Sequence, residues 1–255
     1  MPTDAADRGR SEPVAERAGL VLEERAGRTR WTFQSTAASL ATLAAAYADT
    51  RNSRLCCSSA DDLIVDNALA ATYFERGGSQ WVYGELALDG CVTMLSALLR
   101  GAVQSPTFLD VGAGVGQVVL AAALLTDVSR SIGVEIVPRR HAVAERALAA
   151  LVAADPAVQQ RVDLHCGDIL AQSELISDVS HVFIANAVWS HELTSQVVTH
   201  VAARSKRLGA LATLKEVPPA ALLPAHLTLV RTVDVDVSWD RDGWPLHVYR
   251  TPSSM

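Results

Sequence analysis

Residues 108–125 read FLDVGAGVGQVVLAAALL. A short apolar run ends in an acid. The turn Gly112-Ala113-Gly114-Val115-Gly116 follows, then small and branched apolar residues over a helical length. Strand, glycine turn and helix form the opening unit of an α/β sheet that binds a nucleotide-like ligand outside its carboxyl edge. The glycine spacing selects among ligands. A dinucleotide fingerprint is spaced G-x-G-x-x-G, with a pyrophosphate at the helix start. Here the spacing is G-x-G-x-G, Gln117 follows, and Asp110 closes the strand before the turn. A carboxylate at that point is ill-suited to a pyrophosphate and well suited to an ammonium group.

Downstream, SIGVEI from Ser131 reads as a second strand and a helix runs from Arg139 to about Ala153. VDLHCGDIL and HVFIANAV read as a third and a fourth strand. A helix from Glu192 to about Ser205 precedes GALATLKEV, a fifth strand. LTLVRTVDVDVSW and PLHVYRT alternate with period two and predict an antiparallel hairpin. Strands alternating with helices predict a parallel, doubly wound sheet. Its second strand ends at Glu135, where a carboxylate can accept both ribose hydroxyls. Its third ends at Gly167-Asp168, where an acid can accept from an adenine amino group. Acid, glycines, acid, acid at successive strand ends suit adenosine, ribose and a cationic amino acid end, which together make S-adenosylmethionine.

Upstream, residues 31–80 read as helical, with Gly77-Gly78 as a stop. Apolar residues recur at helical spacing from Leu86 to Leu99. The chain divides into residues 1–30, read as a mobile tail, 31–100, a helical amino-terminal region, and 101–255, the α/β core. Its 255 residues suffice for one large domain with a small appendage. No apolar run reaches the roughly 18–20 residues of a membrane span, and the first residues lack the apolar core of a secretory signal. Cys56, Cys57, Cys91 and Cys166 form no metal-spaced pair and read as free thiols. The net charge of −6 draws the domain as a whole away from nucleic acid. Any contact with a nucleosome or RNA needs a local basic patch or a partner.

The ordered motifs also resemble the disruptor-of-telomeric-silencing (Dot-one) family, the non-SET lysine methyltransferases of the histone H3 core. Val82-Tyr83-Gly84-Glu85 resembles the family's V-Y-G-E loop, and Phe108 to Leu120 its F-V-D-L-G-S-G-V-G-Q-V-V-L. Gly133-Val134-Glu135 matches G-V-E, Gly167 to Leu170 resembles G-D-F-L, and Val237-Ser238-Trp239 matches V-S-W. Val182 to Glu192 resembles I-F-V-N-N-F-A-F-G-P-E. The resemblance implies a class I, Rossmann-like S-adenosylmethionine-dependent methyltransferase sheet with a helical amino-terminal region and an antiparallel carboxyl-terminal hairpin. It also implies histone H3 or the nucleosome as partner and the nucleus as location.

By the same resemblance Tyr83, Gly84, Glu85, Asp110, Gly112, Gly114, Gly116, Gln117, Glu135, Asp168, Ile169 and Asn186 bind the cofactor. Asn186, Tyr83 and Trp189 serve catalysis, with Tyr249 a further candidate for the channel wall. No metal is implied. Methyl transfer to an amine needs in-line alignment and a neutral nucleophile. A lysine, with an ordinary pKa of about 10.4, sheds its proton more readily in a desolvated, aromatic-lined channel. The chain departs from the family pattern in several places. Ala185-Asn186 replaces paired asparagines, Val248-Tyr249 stands at paired tyrosines, and the long basic extension is missing. These departures leave two other readings open: a methyltransferase of the same fold with another substrate, and a cofactor-binding scaffold.

Overall fold

The computed structural model describes residues 37–48, 84–100 and 103–254. Strands β1 (Thr107–Val111), β2 (Arg130–Glu135), β3 (Val162–Cys166), β4 (His181–Ile184), β5 (Ala210–Thr213), β6 (Thr228–Val235) and β7 (Trp244–Arg250) form one sheet. Its spatial order is β3-β2-β1-β4-β5-β7-β6. The first five strands run parallel, and β7 lies antiparallel between β5 and β6. The expected hairpin is present, but its second strand turns inward and leaves β6 at the edge.

Helices α1 (Ala37–Ala46), α2 (Leu88–Leu98), α3 (Gln117–Leu125) and α4 (Pro138–Ala154) cover one face, and α5 (His191–Arg204) covers the other. β1 shows why Phe108, Leu109 and Val111 are all apolar. Phe108 packs with the four-helix face and Leu109 and Val111 with the α5 face, so both sides of the strand are buried. The helices begin where local chemistry dictates. Pro138 opens α4 with its fixed φ, and the Ser190 hydroxyl accepts the Leu193 N–H to cap α5. Leu40 and Leu43 of α1 and Met94 and Leu95 of α2 share one core cluster with α3. The division at residue 100 therefore separates stretches of chain within a common core. Among the described residues, no helix is long and apolar enough to cross a membrane.

The hairpin also steadies the segment before α2. Leu86 bridges Val237, and the Ala87 N–H donates to the Asp236 carbonyl at 2.9 Å. That carbonyl occupies the space a Cβ on Gly90 would need. Gly90→Ala should therefore cost about 2–3 kcal/mol of stability, as overpacking against an unyielding backbone does. A urea midpoint equal to that of the parent would show that this crossing yields freely.

Candidate functional site

The carboxyl ends of β1, β2, β4 and β5 converge on the glycine turn. Gly112, Gly114 and Gly116 all take positive φ, at 80°, 57° and 80°. At Gly116 a Cβ would also lie 2.8 Å from the Ala144 Cβ of α4. Glycine here serves backbone geometry and helix packing together. Above the turn lies a small pocket lined by Glu85, Asp110, Gln117, Phe183, Ala185 and Leu214 among others.

Asp110, the penultimate residue of β1, has 2% of its surface exposed, and its Oδ1 has no hydrogen-bond partner. Burial, and then the nearby Glu135 carboxylate, push its pKa up to about 8. A buried, unpaired acid beside a glycine turn fits a cationic ligand end that would complete its bonding. An arriving ammonium favours the carboxylate, so binding should expel a proton between the ordinary value of 3.8 and about 8. Affinity should climb as pH approaches 8, then fall as the ligand's α-ammonium, with a pKa of about 8, loses its own proton. Titration calorimetry in buffers of different ionisation heat measures that proton, and equal heats in both would rule out the exchange. The same raised value lets the folded state hold a proton that the unfolded state releases. The unliganded fold accordingly loses this stabilisation as pH rises from 3.8 through about 8.

Glu135 is 4% exposed. Its Oε2 accepts the Gly114 N–H at 2.7 Å and its Oε1 the Val137 N–H at 2.8 Å. The second acid thus holds the turn that follows the first strand. A carboxylate offers about four acceptor positions, so these two bonds leave room for ribose hydroxyls. Asp168 is half-buried, and its Oδ1 accepts the Leu170 N–H at 2.9 Å, fixing the bend after β3. Ile169, the next residue, is 5% exposed and packs its side chain into the α5-side core. Gln117 is bonded to the segment before α2. Its amide nitrogen donates to the Leu86 carbonyl at 2.8 Å, tying the Glu85 segment to the first turn of α3.

Asn186 is bonded within the fold. Its side chain is fully buried, and its Oδ1 accepts the N–H groups of Leu214 and Lys215 at 2.9 and 3.0 Å. Its Nδ2 donates to the Lys215 carbonyl at 3.1 Å and contacts the Thr194 hydroxyl at 3.4 Å. The amide clamps the end of β4 to the end of β5. Tyr249 likewise lies in the core, 2% exposed, its hydroxyl accepting the Val217 N–H at 3.0 Å. Trp189 is half-buried, and a Cβ on Gly112 would meet its ring at 3.5 Å, so it flanks the glycine turn. Lys215 donates from its ammonium to the Trp189 carbonyl at 3.1 Å. Tyr83 lies outside the described residues.

Other contacts are invisible in sequence. Tyr47 of the amino-terminal region donates its hydroxyl to the Val115 carbonyl inside the turn at 2.9 Å. Trp239 covers Gly84, where a Cβ would strike its ring. The Trp244 indole donates to the Leu214 carbonyl at 2.7 Å and meets Trp239 edge to face at 5.8 Å. Phe183 carried a signal of its own: it falls on the apolar fourth strand just before the Ala185-Asn186 pair.

A parallel sheet with a reversed seventh strand, and an acid-bordered glycine turn at its carboxyl edge, define a class I, Rossmann-like methyltransferase that uses S-adenosylmethionine. The family model described as histone methylation protein DOT1 matches residues 64–223, and the chain belongs to that family. No curated protein matches the sequence. Similar solved structures include the B. subtilis tRNA methyltransferase TrmK, at 17% identity over 66% of this chain and 68% of that one, with a TM-score of 0.48. Another is a precorrin-6y C5,15-methyltransferase from Geobacter metallireducens, at 18% identity over 63% of this chain and 86% of that one, with a TM-score of 0.47.

Proposed function

We propose that this methyltransferase acts on a protein lysine, in the globular core of histone H3. Family membership carries the reading. The pocket wall agrees with it: beside Asp110 lie Phe183, Ala185 and Leu214, an apolar slot. Such a wall disfavours an ammonium and favours the neutral amine that must attack. When bound, S-adenosylmethionine supplies a methyl group on a sulfonium.

In this reading Asp110 and Glu85 meet the cofactor's amino acid end. Gly112, Gly114 and Gly116 admit it to the backbone, Glu135 takes the ribose and Asp168 the adenine. Trp189, together with Tyr83, walls the channel. Asn186 acts at one remove, by fixing Leu214 and Lys215. Histone H3 within the nucleosome is the partner, and the nucleus the place of action.

Ala185 favours a second reading. It lines the pocket where the resembled family has an asparagine, and the inward-turned Asn186 supplies no amide in its place. A methyltransferase with another protein or small-molecule acceptor fits that wall, and so does a scaffold that only binds the cofactor. Transfer of labelled methyl onto reconstituted nucleosomes, free histone H3 and a crude lysate separates these. Label on histone H3 that disappears in Glu135→Ala supports the lysine reading. Label confined to another acceptor refutes it and keeps the enzyme. Cofactor binding without label anywhere leaves the scaffold, and Ala185→Asn should then awaken transfer if the missing amide is the cause.

A further inference from the structure

Arg100, Arg231 and Arg250 lie far apart in sequence and meet at the amino-terminal edge of the sheet, away from the glycine turn. Arg250 ends β7 opposite Ala210, the first residue of β5, and Arg231 follows the bulge of β6. Arg100 stands just past α2. Arg231 Nη2 donates to the Ala97 carbonyl at 2.7 Å, and Arg250 Nη2 to the Leu98 carbonyl at 3.0 Å, so both cap the end of α2.

Capping accounts for only part of this charge. A helix carboxyl end carries roughly half a negative charge, against three guanidiniums. None of the three forms an ion pair among the described residues. Arg250 is only 7% exposed, and its Nη1 has no partner. Burial lowers the pKa of Arg231 and of Arg250, and repulsion within the trio lowers both further. A fourth group feels the same field. His181 pairs with Ala210 in register, so it shares a face with Arg250 across one small residue. It is fully buried with its Nε2 unpartnered. Burial, and then Arg250 and Arg207, drive its pKa down to about 3.

Buried polar atoms without partners are rare, and two flank one residue here. Guanidinium forks match the geometry and charge of phosphate oxygens. We infer that the Arg100–Arg231–Arg250 cluster is a binding site for a phosphate-type oxyanion, at the sheet edge opposite the cofactor pocket. Two sources offer that chemistry: a small phosphate-bearing molecule and the phosphodiester backbone of nucleic acid.

The test titrates the full chain with inorganic phosphate and, separately, with a short DNA duplex. The variant is Arg100→Gln/Arg231→Gln, and S-adenosylmethionine affinity reports its folding. Saturable phosphate binding, weakened about tenfold or more in the variant with cofactor affinity unchanged, is expected. Duplex binding whose salt slope falls by about two in the variant identifies nucleic acid as the source. Phosphate binding without duplex binding identifies a small molecule. No saturable binding of either probe, or equal affinity in parent and variant, overturns the site. If the double variant loses cofactor binding, the single Arg100→Gln, at an exposed position, takes its place and must still weaken the anion.

Discussion

Replacement of Glu135 by alanine is expected to weaken S-adenosylmethionine binding at least about a hundredfold. Two losses combine. The first is internal: the N–H groups of Gly114 and Val137 lose the carboxylate oxygens that hold them at 2.7 and 2.8 Å. Hydrogen bonds to a charged group contribute about 1.5–3 kcal/mol each. Without them the turn is free to leave the shape that three positive-φ glycines allow it. The second loss is the ribose contact proposed for the remaining acceptor positions, of the same order per bond. Glu135→Gln should fall between, because one amide oxygen still accepts while the NH₂ confronts an N–H that needs an acceptor. Titration calorimetry on the three proteins gives the ranking. Parent-like affinity in the alanine variant would remove Glu135 from the site.

Asn186→Ala should lower stability by about 3 kcal/mol and reduce turnover along with it. The variant leaves two buried N–H groups, at Leu214 and Lys215, without their shared acceptor. Each such orphan costs roughly 1–3 kcal/mol. The Lys215 carbonyl keeps the Thr213 hydroxyl as a donor at 2.8 Å, which limits the loss. Asn186→Asp, which retains the acceptor but buries a second carboxylate oxygen against the Lys215 carbonyl, should lose at least as much. The distinguishing readout is the relation between melting temperature and kcat. A clamp lowers both in step in each variant. A group touching the reacting atoms would lower kcat in a protein that melts like the parent, and that result would restore Asn186 to the catalytic role its motif suggests.

These residues show how far the linear chain can be read. Asp110, Glu135 and Asp168 were legible as acids at strand ends because each comes at the close of a short apolar strand, and strand ends are marked locally by glycine and by the change from period two to helical spacing. Their neighbours were not. Gln117 sits in the most readable motif of the chain, yet its amide goes to Leu86, 31 residues earlier. The paired positions Val248 and Tyr249 are adjacent in sequence, and only pairing with β5 settles their faces. Tyr249 stands opposite Leu211 and enters the α5-side core, while Val248 joins the other. A slip of one residue would exchange them.

Local spacing along the chain dictates the strand–turn–helix unit at Phe108 to Leu125, the alternation that makes the sheet parallel, the closing hairpin and the acids at its carboxyl edge. All of these depend on the spacing of residues within a few turns or strands. Tertiary structure alone decided that β7 enters between β5 and β6, that Asn186 faces the backbone of Lys215, and that Arg100, Arg231 and Arg250 come together in a chain of net charge −6. The reason is that hydrogen-bond register and long-range packing, and not local periodicity, fix which side chains share a face.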